Sequence, residues 1–193
     1  MMHSSSLEVL LGPMFAGKSS AIQSIVRRHQ ALGRRVFVVT HAIDTRYTTE
    51  PSITNHDGQV LPAITTSLLM NLLTHPDYAS SHLVVIDEAQ FFEDLIPFVL
   101  QVVETDKKDC VVVGLDGDSE RRPFGHLLDL LPLCDRVQKL TGFCKRCGDG
   151  TPGLFSFAHS SNTSIVHVGG AEAYSTLCRT HYLESKGGTL STQ

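Results

Sequence analysis

One stretch near the start of the chain has the residue types of a phosphate-binding loop. The segment GPMFAGKS at 12–19 matches the pattern G-x-x-x-x-G-K-[ST], and it lies between an apolar run and a helical stretch. In such a loop the backbone amides turn toward phosphate oxygens, the lysine reaches the β- and γ-phosphates, and the final hydroxyl can ligate magnesium. A glycine loop that only caps a helix is the alternative. The residues predicted to hold a nucleotide and its Mg²⁺ are Gly12, Pro13, Met14, Phe15, Ala16, Gly17, Lys18 and Ser19.

Two adjacent carboxylates follow a later apolar run. The segment LVVIDEAQFF at 83–92 places Asp87 and Glu88 at the carboxyl end of a predicted strand, where open α/β sheets bind their ligands. Asp87 can then hold the magnesium shell, while Glu88 accepts a proton from an attacking hydroxyl or water. Acids at a helix start, favoured by the helix dipole, are the alternative. The neighbours predicted to lie at the same edge are Ala89 and Gln90 on the nucleotide side, and Phe91.

Two pairs of metal-ligating residues lie in the last third of the chain. Cys144 and Cys147 form a C-x-x-C pair, and Cys178 and His181 form a C-x-x-H pair. Each two-residue spacing allows both side chains to bind one tetrahedral ion, and four protein ligands leave no open position for water. The sequence therefore predicts a structural zinc site. Incidental cysteines in a loose loop are the alternative.

Short apolar runs are predicted to position these motifs. Runs that are apolar throughout, rather than alternating, indicate strands buried on both faces, so we predict an α/β fold with a parallel sheet flanked by helices. A helical stretch at about 19–32 follows the first run, and Gly33 ends it. The predicted strands are 7–11, 34–41, 83–88 and 109–117, with 136–141 as a fifth candidate.

The composition of the chain changes after residue 142, where Gly, Ser, Thr, Asn and His become frequent. We predict a P-loop nucleotide-binding α/β domain over 1–142, a zinc-binding subdomain over 143–183 and a disordered tail over 184–193. A long segment that metal ligands clamp at both ends usually serves a binding site.

The overall composition narrows the functional classes. A chain of 193 residues with 41% hydrophobic residues can bury one substantial core. The net charge of −4 gives no basic field for a polynucleotide, so no nucleic-acid partner is predicted. We find neither a signal-peptide pattern nor the roughly 18 apolar residues that a membrane span needs. We therefore expect a soluble cytoplasmic protein without membrane contact.

Five segments in this order resemble the second type of the thymidine kinase family, which is zinc-containing and tetrameric. The resemblance implies a RecA-like P-loop fold with a small zinc-bound segment that the family calls the lasso. It covers nearly the whole chain. The segments are GPMFAGKS (12–19), DTRY (44–47), DEAQFF (87–92), LDG with RRPFG (115–125) and GGAEAY (169–174).

The resemblance implies catalytic roles. Glu88 would take the proton from the nucleoside 5′-hydroxyl, and Ser19 and Asp87 would form the magnesium side. Lys18 and Arg121 are the candidates for stabilising charge on the transferred phosphoryl group. The residues that would assist on the magnesium and phosphate side are Asp44, Thr45 and Arg46.

The resemblance also implies a nucleoside pocket. Ser156 falls where a base-contacting threonine is expected, and Tyr174 would contact the nucleoside. The apolar wall against the thymine ring would comprise Met14, Leu115, Phe124 and Phe91. The backbone groups that would bind the base belong to Ile165, Val166, His167, Val168 and Gly169.

The sequence departs from the family pattern at three places. Ser119 stands where the pocket segment has an aromatic residue, so one stacking surface on the base is absent or comes from Phe91. His181 is the fourth metal ligand where many members have cysteine, and nitrogen serves zinc well. Non-basic residues stand beside Ser156 where basic ones are common.

The activity implied is transfer of the γ-phosphate of ATP to the 5′-hydroxyl of thymidine, and of deoxyuridine, in pyrimidine salvage for DNA synthesis. The resemblance further implies a homotetramer and feedback inhibition by dTTP. Two other classes compete with this reading. DEAQ resembles the boxes of nucleic-acid-stimulated ATPases, but such motors need two P-loop-type domains and a basic footprint. A non-catalytic zinc- and nucleotide-binding module would not need Lys18, Ser19, Asp87 and Glu88 intact.

Overall fold

A parallel six-stranded sheet forms the centre of the protein, seen in a computed structural model that describes residues 5–43, 52–54, 60–159 and 173–187. The strands are β1 (Leu7–Leu11), β2 (Val36–His41), β3 (Ser52–Thr54), β4 (Val60–Pro62), β5 (Ile64–Thr66), β6 (Leu83–Ile86), β7 (Asp109–Gly114), β8 (Arg136–Lys139), β9 (Gly142–Phe143), β10 (Pro152–Gly153), β11 (Phe155–Ala158) and β12 (Tyr174–Leu177). The order in the main sheet is β5-β2-β6-β7-β1-β8, and each neighbouring pair is parallel.

Within the described residues, four α-helices accompany the sheet. They are α1 (Lys18–Ala31), α2 (Pro76–Ser80), α3 (Leu95–Leu100) and α4 (Arg179–Ser185). Short 3₁₀ turns lie at Leu69–Thr74, Ala89–Phe91 and Leu127–Leu130, and a π-helical turn at Gln101–Thr105 continues α3. None of the helices in these ranges is long and apolar enough to cross a membrane.

Two hydrophobic cores cover the two faces of the sheet. On one face Ile22 and Val26 of α1 pack with Leu10 of β1. On the other face Leu95 and Phe98 of α3 pack against the strand residues whose side chains point away from α1. A fully buried side chain of this size contributes about 1.5–3 kcal/mol. Burial on both faces explains why the central strands β6 and β7 are almost entirely apolar, as the sequence predicted, whereas the edge strand β8 is polar and exposed.

The strand order brings the functional loops together. Because parallel strands end at the same edge, the loops after β1, β6 and β7 emerge side by side, with β7 between β6 and β1. The register is fixed by pairs such as Leu11 with Gly114 and Ile86 with Val112. The phosphate loop and the carboxylate pair therefore lie one strand apart.

A smaller unit of two hairpins and a helix follows β8. Strand β9 pairs with β10, and β11 pairs with β12, both antiparallel. Its core contains Cys144, Leu177 and Tyr182, with Phe155 and Phe157 packed against them. This unit supplies all four predicted metal ligands.

The predicted α/β fold class is confirmed, including the apolar central strands and the helix after the phosphate loop. The sequence analysis did not find β5 at the sheet edge or the short β3–β4 pair. These strands have three residues each, too few to show a pattern. Helix α4 extends to Ser185. The division at residues 142 and 183 stays a prediction.

Candidate active site

The predicted phosphate loop connects β1 directly to α1. Gly17 precedes the first residue of the helix, Lys18. The Lys18 ammonium lies inside the loop, with Nζ 2.8 Å from the carbonyl oxygen of Pro13 and 3.3 Å from that of Gly12. A helix N-terminus with its lysine folded over the preceding loop presents positive potential and backbone donors to an anion.

The carboxylate pair follows β6 at the same edge. The Asp87 amide donates to the Val39 carbonyl of the neighbouring strand at 2.8 Å, so the backbone continues the sheet for one more residue. Asp87 is buried, and its Oδ1 accepts the Glu88 amide at 2.9 Å. Glu88 has a φ of 51°, in the left-handed region. Such a conformation in a residue other than glycine costs free energy and is typical of functional sites.

Gln90 connects this carboxylate to the end of the next strand. Its Nε2 donates to Glu88 Oε2 at 2.6 Å, and its Oε1 accepts the Leu115 amide at 3.0 Å. Gly125, with a φ of 58°, packs so closely that an added Cβ would lie 2.0 Å from the Gln90 carbonyl oxygen. A buried amide with both ends bonded holds one rotamer. The contact of Gln90 with the nucleotide stays a prediction, and the structure adds a support of Glu88 that the sequence did not indicate.

Aromatic rings line the site beyond Glu88. Phe91 and Phe124 are partly buried and meet edge to face, with centroids 5.3 Å apart. The predicted wall residues Phe91 and Phe124 are thus brought together. Sequence reasoning missed His41, whose ring lies 5.6 Å from Phe91 and 4.7 Å from Phe92. Its position at the carboxyl end of β2 was the available signal.

Burial sets the protonation of His41. It lowers the pKa of the imidazole below its ordinary value, while the negative charges of Glu88 and Asp94 raise it less. Nδ1 accepts the Ile43 amide at 3.1 Å, as the neutral ring can. The site therefore favours a neutral His41 near pH 7.

The phosphate loop contacts the β11–β12 hairpin at predicted pocket residues. The Met14 amide donates to Ser156 Oγ at 3.0 Å, so this hydroxyl faces the phosphate loop. Tyr174 begins β12 opposite Ala158. Leu115 directly follows β7, and its amide donates to Gln90.

Arg121 lies over aromatic rings of the small unit. Its guanidinium carbon is 4.6 Å from the Tyr182 ring centroid and 5.4 Å from that of Phe155. The Tyr182 hydroxyl donates to the Ser119 carbonyl at 2.6 Å. These contacts attach the segment around Ser119 to the small unit and place Arg121 against its aromatic rings. The charge-stabilising role that the sequence suggested for Arg121 stays a prediction.

The four predicted metal ligands converge. Their ligand atoms all lie within 4.8 Å of one another. His181 Nδ1 is 3.3 Å from the sulfur of Cys144, 3.3 Å from that of Cys147 and 3.4 Å from that of Cys178. A tetrahedral Zn²⁺ with ordinary bond lengths separates sulfur from nitrogen by about 3.6 Å and two sulfurs by about 3.8 Å. The Cys147 and Cys178 sulfurs are 3.9 Å apart, so the cluster fits such an ion.

The pKa values of two thiols in the cluster are shifted in opposite directions. Burial and the hydrogen bond with Cys144 raise the pKa of Cys147 to about 11, whereas the pKa of Cys144 is lowered. Burial raises the pKa of Cys144, but hydrogen bonds from the backbone of Cys178 and Cys147 and from the His181 ring outweigh it and lower the value to about 6. The thiolate is the form that binds a metal.

Several predicted site residues lie outside the described ranges. They are Asp44, Thr45 and Arg46 of the DTR segment and the backbone contacts at Ile165, Val166, His167, Val168 and Gly169.

Comparison with known proteins identifies a set of relatives. A family model described as "Thymidine kinase" matches residues 5–182. Thymidine kinase a of Arabidopsis thaliana is 37% identical over 186 residues, covering 93% of this chain and 76% of that protein. The cytosolic thymidine kinase of Homo sapiens is 33% identical over 182 residues (94% and 75%), and the thymidine kinase of Variola virus is 32% identical over 185 residues (95% and 100%).

Among solved structures, the Legionella pneumophila ATPase DotB matches 66% of this chain and 37% of its own, with a TM-score of 0.36 and 13% identity. So distant a likeness carries no argument about function.

Proposed function

Since this chain belongs to the thymidine kinase family, we propose that it transfers the γ-phosphate of ATP to the 5′-hydroxyl of thymidine, with Glu88 as the general base. The observation that carries this proposal is the support of Glu88 by Gln90, because a base must be held within hydrogen-bond reach of the proton it takes. The Gln90 amide, 2.6 Å from the carboxylate, orients it at the edge where the phosphate loop ends.

The phosphate side rests on three principal residues, Lys18, Ser19 and Asp87, which three others assist. Phosphoryl transfer depends on positioning and on electrostatic stabilisation rather than on covalent chemistry by the protein. Lys18, at the start of α1, is the group that stabilises negative charge on the transferred phosphoryl. Ser19 and Asp87 present oxygen atoms, the ligands that Mg²⁺ prefers, and Asp44, Thr45 and Arg46 assist them. When bound, Mg²⁺ neutralises charge between the β- and γ-phosphates.

The nucleoside is proposed to enter between the aromatic pair and the β11–β12 hairpin. Phe91 and Phe124 provide an apolar wall, and Ser119 supplies no ring of its own. The other residues proposed to contact the nucleoside are Met14, Leu115, Ser156 and Tyr174, with the backbone of 165–169. Deoxyuridine, which lacks only the methyl group, is proposed as a second substrate.

Zn²⁺ is proposed as a structural ion in the cluster of Cys144, Cys147, Cys178 and His181. All four tetrahedral positions are then taken by protein atoms, so the ion supplies folding energy and no reaction step. We also propose a homotetramer, inhibition by dTTP and a cytoplasmic location, following the family resemblance and the word "cytosolic" in the names of relatives.

The test is ATP consumption measured with thymidine, with deoxyuridine, with single-stranded DNA or RNA, and with no acceptor. We expect turnover only with the two nucleosides, and dTMP as the product with thymidine. Stimulation by a polynucleotide alone would instead support an ATPase of another class, and ATP binding without turnover would support a non-catalytic module.

A further inference from the structure

Two hydroxyl groups of the small unit hold the backbone of the phosphate loop at one residue. The Met14 amide donates to Ser156 Oγ at 3.0 Å, and Thr176 Oγ1 donates to the Met14 carbonyl oxygen at 2.6 Å. Ser156 and Thr176 are directly opposed in the β11–β12 pair, and both are buried. The two hydroxyls therefore form a bracket around Met14, and we call this pair of contacts the Met14 bracket.

The Met14 bracket fixes the loop at a strained point. Phe15, the next residue, has a φ of 59°, in the left-handed region that residues other than glycine rarely adopt. Strained backbone of this kind persists only where its surroundings over-determine it. The bracket fixes the peptide groups on both sides of Met14. It therefore also fixes the orientation of the backbone that leads into Phe15. The loop that turns its amides toward phosphate is thus held from outside by the hairpin.

Close packing makes the same contact rigid. A Cβ added to Gly142 would lie 2.9 Å from the Phe15 carbonyl oxygen and 3.3 Å from the Thr176 methyl carbon. Glycine is therefore needed at 142 for β9 to approach the loop. Both branches of the Thr176 side chain make contacts. Its methyl group packs over Gly142, and its hydroxyl donates a hydrogen bond to Met14.

The hairpin also carries two of the residues proposed to contact the nucleoside. Ser156 lies on β11 and Tyr174 begins β12. The two strands that hold Met14 are therefore the ones that supply these proposed nucleoside contacts.

We propose that Thr176, acting with Ser156, is a positioning residue that couples nucleoside binding to ATP binding through the Met14 bracket. Thr176 acts by holding Met14 and has no proposed contact with the reacting groups. This inference rests on the proposed function, because the coupling is between thymidine and ATP. Coupling of this kind is reciprocal, so each ligand tightens the other by the same factor.

The decisive measurement is the ratio of two dissociation constants for a non-hydrolysable ATP analogue, without and with saturating thymidine. In the wild-type protein we expect a ratio above 1. Thr176→Val keeps the packing branches and removes the hydroxyl, leaving the Met14 carbonyl unpaired. We expect it to weaken analogue binding in the presence of thymidine by roughly 5- to 50-fold, the scale of an unsatisfied buried group, and to bring the ratio close to 1.

Three further variants make the test specific. Thr176→Ser keeps the hydroxyl and should restore most of the wild-type ratio. Ser175→Ala removes the hydroxyl of a buried neighbour on the same strand, whose side chain points to the opposite face, and should leave the ratio unchanged. Ser156→Ala removes the other hydrogen bond of the bracket, the one from the Met14 amide, without adding bulk. If Thr176→Val fails to fold, shown by loss of a cooperative unfolding transition, Thr176→Ala decides the question with the same ratio, because it also removes the hydroxyl and adds no bulk.

The possible results separate the inference from the proposed function. A wild-type ratio of 1, or an unchanged ratio in folded Thr176→Val, overturns the coupling while thymidine phosphorylation stands. A wild-type protein that phosphorylates no nucleoside overturns the proposed function instead. A general loss of active protein, with the ratio preserved in the active fraction, shows that Thr176 is only a packing residue and also overturns the inference.

Discussion

The Gln90 side chain donates a hydrogen bond to the Glu88 carboxylate, with Nε2 and Oε2 2.6 Å apart, while its Oε1 accepts the Leu115 amide. One buried amide thus connects the ends of β6 and β7 and fixes the proposed base between them. Glu88 itself is held in the left-handed region. A side chain on a strained backbone keeps its position only with such support, so Gln90 and Glu88 are expected to act as a unit.

The first prediction concerns the proton acceptor. Glu88→Gln keeps the shape of the side chain but cannot take a proton, so we expect turnover with thymidine to fall roughly 100-fold or more. ATP affinity should stay close to that of the wild type. Steady-state kinetics and equilibrium binding of an ATP analogue measure the two effects. Glu93→Gln, at a side chain that is 92% exposed, is the matched control, and wild-type turnover in Glu88→Gln would show that Glu88 is only structural.

The second prediction concerns the support. Gln90→Met has nearly the same length and volume but loses both hydrogen bonds, leaving the Leu115 amide unpaired at a cost of about 1–3 kcal/mol in the free energy of unfolding. We expect kcat to fall roughly 10-fold as Glu88 loses its fixed orientation, with KM for thymidine and ATP little changed. Gln101→Met is the control, because it removes the hydrogen bond that the Gln101 side-chain amide donates to Asp106. An equal loss of kcat in both variants would argue against a specific role for Gln90.

The positions of the phosphate loop and the carboxylate pair could be predicted because both depend on local sequence. GPMFAGKS spans consecutive residues, and Asp87 directly follows an apolar strand, so their spacing alone indicates their environment. The metal ligands could be found for a similar reason, because the two-residue spacing within each pair has few uses other than binding one ion.

The roles of Gln90 and Arg121 could not be predicted, because they depend on contacts between distant parts of the chain. In the sequence Gln90 is only the last residue of the DEAQ motif. Its supporting role depends on the hydrogen bond from the Leu115 amide to its side-chain oxygen, which the sequence does not show. Arg121, in a basic pair near the pocket segment, suggests a phosphate contact, yet its closest ring is Tyr182 of the small unit. The sequence also contained no indication that Thr176 contacts the phosphate loop, because a single threonine in a short strand has no distinguishing pattern.

The third prediction follows from the position of Arg121. Arg121→Ala removes cation–π contacts worth about 0.5–1 kcal/mol at an exposed site, so we expect slightly lower thermal stability. The change in kcat should be no more than about 5-fold, the kinetic equivalent of about 1 kcal/mol. Thermal unfolding and steady-state kinetics test this. Arg122→Ala serves as the neighbouring control. A fall in kcat comparable to that of Glu88→Gln would restore the charge-stabilising role that the sequence suggested.

The fourth prediction concerns the metal cluster. The fit of Cys178 and its three partners to one tetrahedral ion predicts that Cys178→Ser, or a strong chelator, removes bound zinc and loosens the hairpin beside the phosphate loop. We expect thymidine affinity to fall and the melting temperature to drop, because metal binding contributes directly to folding in such small units. Metal analysis, calorimetric titration with thymidine and thermal unfolding measure these effects. Cys134→Ser, at a cysteine outside the cluster, is the control, and unchanged affinity in folded, metal-free protein would refute the prediction.

The last prediction uses the buried imidazole of His41. Burial lowers its pKa in the folded protein, whereas in the unfolded chain it titrates near 6.5. As the pH falls through that value, the unfolded chain binds the proton first, so the contribution of His41 to stability is present above about pH 6.5 and is lost toward its lower folded-state pKa. Denaturation midpoints at about pH 7.5 and about pH 5.5 should therefore differ less in His41→Gln than in the wild type. The exposed His159→Gln should keep the wild-type difference, and an equally large difference in His41→Gln would show that other groups cause the acid sensitivity.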